Sequence, residues 1–145
     1  MSIVVITGPR HGAAHTTLAD EAMCRLWDRA QAAGTDLLWR PCSDFHDVVL
    51  QLDHSPADHA QLVLLDVDAD EVPACDVGPL RDALAALHVP YIEMHDDSDA
   101  SDASALVPSH PSLVSVVVPG DTMAGYDMAL SIGLRYLACD VRMAA

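Results

Sequence analysis

Short apolar runs alternate along this chain with segments whose apolar residues recur every three or four positions. The first run, Ile3 to Ile6, is β-branched throughout and stops at Thr7-Gly8-Pro9, which predicts a buried strand opening into a loop. Leu18, Ala22, Leu26, Ala30 and Ala33 then share one helical face, with Thr16 or Thr17 as the cap and Gly34 as the stop. Leu37 to Arg40 reads as a second strand, and Asp44 as the cap of a helix carrying Val48, Val49 and Leu52. Ala60 to Leu65 is a third strand ending at Asp66, and Leu80 to Leu87 a helix. Pro90 to Met94 is a fourth strand ending at His95, Val114 to Val118 a fifth, and Met123 to Leu137 a closing helix.

Strands that read as continuous apolar runs, each followed by a helix, belong to a parallel sheet covered on both faces. The expected fold is therefore α/β and flavodoxin-like: a five-stranded parallel sheet in the order 2-1-3-4-5, with helices on both sides. At 145 residues the chain reads as a single domain, 1–145, large enough to bury its own core. The stretch from Asp96 to Ser104 is almost entirely Asp, Ser and Ala, and predicts a mobile acidic loop.

Composition narrows the function classes. A formal charge of −15 leaves no basic patch for a nucleic acid or for an anionic membrane surface. The sequence has no Lys and no Asn, so a lysine Schiff base and a P-loop are both excluded. That Arg-, Ala- and Asp-rich usage points to a GC-rich bacterial genome. Cys24, Cys42, Cys75 and Cys139 are too scattered for a zinc ribbon or a disulfide framework. The opening residues have no basic segment ahead of their apolar run, so no signal peptide is expected, and no apolar run reaches spanning length. A cytoplasmic protein with reduced thiols is the resulting expectation.

In an open parallel sheet, ligands bind beyond the carboxyl ends of the strands. Those ends carry Thr7-Gly8-Pro9-Arg10-His11, then Asp66, Asp68 and Asp70, then His95, Asp96 and Asp97, then Pro119-Gly120-Asp121. His and Asp thus converge on one rim, with Arg10 expected to be the only nearby guanidinium. Imidazole titrates near neutrality, which makes His95 the candidate acid or base, with Arg10 and His11 beside it. Asp66, Asp68 and Asp70 read as a solvated acidic loop, since they lack the glycine and distal glutamate of a calcium loop; no metal is expected. His46, His54, His59 and His88 read as surface residues. Cys75, between Glu71 and Asp76, reads as a buried or inert thiol rather than a nucleophile.

The segment from Leu80 to His95, L-R-D-A-L-A-A-L-H-V-P-Y-I-E-M-H, resembles the helix–strand–histidine segment of the type II 3-dehydroquinate dehydratases. Val4-Val-Ile-Thr-Gly-Pro9 is similar to that family's opening strand and turn, and Gly125-Tyr126 with the Leu134-Arg-Tyr-Leu137 run to its last helix. The resemblance spans nearly the whole chain. It implies cofactor-free removal of water from a cyclic β-hydroxyketone, in a trimer or a dodecamer of trimers. It places the general acid at His95 and the preceding glutamate at Glu93. It puts Cys75 where the family has a second histidine, and Asp66 and Arg10 where it has asparagines. The family's lid tyrosine has no counterpart, because only six residues separate Pro9 from Thr16, and the arginines expected after His95 are replaced by Asp96 to Asp102.

Two readings follow. One is a diverged lyase or related acid–base catalyst using His95 on a substrate other than dehydroquinate, in secondary metabolism. Its ligand would be neutral or cationic, contacted by Asp66, Cys75, Glu93, Asp96 and Asp97. The other is a non-catalytic paralogue kept for binding or assembly. A flavodoxin proper is disfavoured, because the aromatic flanks for an isoalloxazine ring are missing.

Overall fold

In the computed structural model, residues 1–9, 20–55, 59–95 and 101–144 are described. Five strands, β1 (Ser2–Thr7), β2 (Asp36–Pro41), β3 (Leu62–Asp66), β4 (Tyr91–His95) and β5 (Ser115–Val117), form one sheet in the order β2-β1-β3-β4-β5. Every pairing is parallel. Four helices, α1 (Asp20–Ala32), α2 (Phe45–His54), α3 (Ala74–Ala86) and α4 (Thr122–Ala144), connect or follow them. This is the flavodoxin-like arrangement that the apolar runs predict.

Successive side chains of a strand point to opposite faces, so each strand feeds two cores. Ile3, Val5, Leu62, Leu64, Ile92 and Met94 pack against Leu26 and Ala30 of α1 and Ala129 and Leu130 of α4. Val4, Ile6, Val63, Leu65 and Tyr91 pack against Val48 and Leu52 of α2 and Leu80 and Leu84 of α3. Gly34, at φ +72°, ends α1 in the left-handed conformation that glycine tolerates. Asp44 caps α2 as its spacing implies, accepting the Asp47 N–H at 2.7 Å. Gly133 lets α4 lie directly on the sheet, where a Cβ would sit 2.5 Å from Leu62 Cδ2.

The structure departs from the sequence reading in three places. Helix α3 begins six residues early, at Ala74, and carries Pro79 inside it, although Gly78-Pro79 reads as a helix breaker. Helix α4 continues past Leu137 to Ala144. The end of the acidic stretch is structured rather than loop: a 3-10 turn spans Ala103–Leu106, with Ala103 fully buried. Its anchors are polar. Ala69 N–H donates to the Ser101 carbonyl at 3.0 Å, and Asp68 Oδ1 accepts from Ser101 N–H at 3.2 Å. The expected Thr16 or Thr17 cap and residues Asp96 to Ala100 lie outside the described residues.

Candidate functional site

The carboxyl ends of β3 and β4 and the start of α4 enclose a small pocket lined by Asp66, Met94, His95, Asp121, Thr122, Gly125 and Tyr126. The described walls leave room of about 10 Å³, roughly one water. Helix α4 is aimed at this pocket by its own cap: Gly120 turns the chain at φ +73°, and Asp121 Oδ1 accepts the Ala124 N–H at 3.0 Å.

His95 is the last residue of β4 and is buried. Its Nε2 lies 2.9 Å from Asp102 Oδ1, and the aspartate side chain stays partly exposed, at 42%. Asp102 stands there because the turn behind it is clamped. Glu93, wholly buried on the same face of β4, accepts the Ala103 N–H at 2.5 Å and the Ser104 N–H at 3.2 Å. One carboxylate thus satisfies two N–H groups that a turn's start leaves without partners. Glu93, His95 and Asp102 gather their ligand-type atoms within 4.8 Å of one another. Glu93 is committed to the backbone, so this cluster is built as a support for the imidazole.

Asp66, last in β3, is also buried, but on the opposite face. Its Oδ2 accepts the Tyr126 hydroxyl at 2.5 Å. Tyr126 in turn packs its ring against Trp39 of β2, with centroids 5.4 Å apart and planes at 44°. The pocket therefore has a His–Asp pair on one side of the sheet edge and a Tyr–Asp pair on the other.

The fold is that of the type II dehydroquinases. A type II dehydroquinase from Butyrivibrio crossotus matches with a TM-score of 0.66 and 16% identity, over 93% of this chain and 97% of that one. Its counterpart from Propionibacterium acnes matches at 0.65 and 22%, over 92% and 96%. A 3-dehydroquinate dehydratase-like protein from Bifidobacterium longum matches at 0.64 and 16%, over 94% and 97%. At these identities the likeness is one of fold. No protein-family model and no curated protein matches the chain.

On this dehydroquinase-like frame the expected site residues separate. His95 and Asp66 line one pocket. Glu93 does not line it and is occupied with the 3-10 turn. Cys75, expected to be buried or inert, is exposed in the first turn of α3 and away from the pocket. Arg10, His11, Asp96 and Asp97 lie outside the described residues. The three carboxylates after β3 do not converge. Asp66 turns to Tyr126, while Asp68 accepts backbone N–H groups from Asp70 and Ser101. His46, His54, His59 and His88 are exposed, as expected.

Three contributors escape the sequence reading. Asp102 looks like one more residue of an acidic run. Tyr126 enters only as part of a helix pattern, although its place one turn beyond the Asp121 cap aims it at the rim. Arg40, the penultimate residue of β2, pairs with Ile6 of β1 and so brings a described arginine near this edge of the sheet.

Proposed function

We propose that the chain is a diverged relative of the type II dehydroquinases that works as a cofactor-free acid–base catalyst of the hydro-lyase type, with His95 as the acid. The observation that carries this reading is the buried His95 imidazole at the rim pocket, held through Nε2 by Asp102. A carboxylate on one ring nitrogen fixes the ring's orientation. Nδ1 is left as the nitrogen that exchanges a proton with a ligand. The ligand is a neutral or cationic hydroxylated small molecule. Asp66 and Asp121 line the pocket, Asp102 stands behind His95, and the chain carries −15 overall. Two unit charges about 4 Å apart repel by roughly 4 kcal/mol at an effective dielectric of 20, which disfavours a carboxylate or phosphate here. Without the lid tyrosine and the asparagines, 3-dehydroquinate is not an efficient substrate. As in the family it resembles, the protein acts as a homo-oligomer, a trimer or dodecamer, in the cytoplasm.

One observation favours the non-catalytic alternative: the described walls leave room for about one water. A panel of neutral and cationic β-hydroxyketones, followed by the ultraviolet absorbance of the enone product, separates the two. Turnover by the wild type is expected to fall by about 10²–10⁴-fold in His95→Ala. It is expected to fall less in Asp102→Asn, which keeps the side chain's shape. No turnover of any panel member would leave the non-catalytic reading standing, whereas full activity in His95→Ala would move the chemistry away from His95. Light scattering at micromolar concentration tests assembly, and a monomer counts against it.

A further inference from the structure

We propose that Glu93 is a positioning residue for His95: by capping the 3-10 turn in place of Asp102, it releases the Asp102 side chain to hold the imidazole. The inference rests on the reading of His95 as the acid and adds to it the residue that keeps its partner in place.

Asp102 occupies the N-cap position of the turn at Ala103–Leu106, with extended backbone at φ −71° and ψ 134°. An aspartate in that position ordinarily bends its side chain onto an N–H of its own turn, because the first N–H groups of a turn have no partners within it. Elsewhere in this chain the rule holds. Asp44 accepts the Asp47 N–H at 2.7 Å, Asp68 the Asp70 N–H at 2.9 Å, and Asp121 the Ala124 N–H at 3.0 Å. Asp102 makes no such bond.

The donors it would use are already held. Glu93 Oε1 accepts the Ala103 N–H at 2.5 Å and Oε2 the Ser104 N–H at 3.2 Å. The Ala105 N–H goes to the Asp102 carbonyl at 3.2 Å. With the first three N–H groups of the turn taken, Asp102 Oδ1 lies instead 2.9 Å from His95 Nε2. Glu93 and His95 are two apart on β4 and share a face of the sheet, so the borrowed cap and the imidazole stand side by side. The other flank of Asp102 is pinned as well, by Asp68 and Ala69 on the Ser101 backbone.

Burial decides which carboxyl caps the turn. Glu93 is wholly buried, and without the two N–H groups it would bear the full cost of an unpaired buried polar group. The Asp102 side chain is 42% exposed, so water can serve its remaining lone pairs. Once the Ser104 N–H is free, Asp102 has a cap donor two residues away, and turning to it leaves His95 without a partner although neither residue has been altered.

The probe is Glu93→Gln, which keeps the side chain's shape and one acceptor. Two signals are read: exchange with water of the His95 ring hydrogen by NMR, and kcat for 3-hydroxycyclohexanone by enone absorbance. In wild type the ring hydrogen is expected to be protected. Glu93→Gln is expected to speed its exchange by about tenfold, the worth of an ordinary cap, toward the rate in Asp102→Ala. The same variant is expected to lower kcat by about tenfold with KM little changed. Adding Glu93→Gln to Asp102→Ala is expected to lower kcat no further, because the effect passes through Asp102. Losses that multiply in the double variant, or a ring hydrogen equally protected in folded Glu93→Gln, overturn the proposal. Absence of turnover in wild type refutes the acid reading of His95, while the ring hydrogen still decides whether Glu93 positions it. Should Glu93→Gln fail to fold, native-state exchange of the wild type in low urea gives the answer: the ring hydrogen and the Ala103 and Ser104 amides are expected to open together, and separate openings overturn the proposal.

Discussion

Replacing Tyr126 with Phe removes one oxygen and leaves the ring, so it isolates the hydroxyl's bond to Asp66. Tyr126 and Asp66 are 4% and 5% exposed, and water therefore cannot readily take over the lost bond. A hydrogen bond to a charged group is worth about 1.5–3 kcal/mol, and the ring contact with Trp39 is retained. With a urea slope of about 2 kcal/mol/M for a chain of this size, the unfolding midpoint should drop by roughly 1 M. Asp66→Asn in the same cycle turns the partner into a neutral acceptor, for which the hydroxyl is worth only about 0.5–1.5 kcal/mol. Tyr126→Phe should therefore cost less in that background, with a coupling of about 1 kcal/mol or more. Both residues have further interactions, so the cycle rather than either single variant measures this bond. Urea unfolding followed by tryptophan fluorescence is the assay, with Trp39 beside the altered ring as reporter. If Tyr126→Phe lies within about 0.5 kcal/mol of wild type, or the two costs simply add, the pair is not coupled and the reasoning fails.

Gly133→Ala brings a methyl to 2.5 Å from the buried Leu62, an overpacking cost of about 1–3 kcal/mol against a helix-propensity gain of about 1, so a net loss of up to about 2 kcal/mol should appear in the same unfolding assay. Burial, reinforced by Asp47 and Asp44, pushes the Cys42 thiol from 9.0 up to about 12, so at pH 8 a thiol reagent should label Cys24, Cys75 and Cys139 quickly and Cys42 only on unfolding. Its contribution to stability has a definite sign: the folded state keeps the proton that the unfolded state loses, so stability is intact below about pH 9 and declines as pH rises toward 12. Tyr91, raised chiefly by burial and then by Glu93 and Asp102, acts in the same direction, and Cys42→Ala should flatten part of that alkaline decline in a pH series of urea midpoints.

The sheet was legible because its strands announce themselves. Ile3 to Ile6 and Leu62 to Leu65 are apolar on both faces, which only a doubly covered strand requires. The caps at Asp44 and Gly34 were legible for similar local reasons. The site was half legible. His95 and Asp66 follow from the rule that strand ends carry the chemistry, and both line the pocket. Asp102 was hidden in a stretch of like residues, because what distinguishes it is the clamp on Ala103 and Ser104 by a glutamate ten residues earlier. Tyr126 depended on a contact sixty residues away in sequence. The early start of α3 shows tertiary packing overriding a local breaker: Leu80, Ala83 and Leu84 bury one face and hold the turn that contains Pro79.

The two borders of the sheet bear on how copies of this chain can meet. A border strand exposes unpaired amide and carbonyl groups, a template on which another molecule can add a strand. Here β5 offers only three residues, and β2 ends in Pro41, which has no amide hydrogen to give. The β5 border is too short for a long ladder and Pro41 stops one at the end of β2, while the mutual repulsion of chains at −15 opposes slow, unguided approach. Misassembly by strand addition, the usual hazard of a chain this rich in β-branched runs, is thus discouraged by geometry at both margins. Any assembly between copies would then draw on side-chain packing by helices and loops rather than on a ladder shared between sheets.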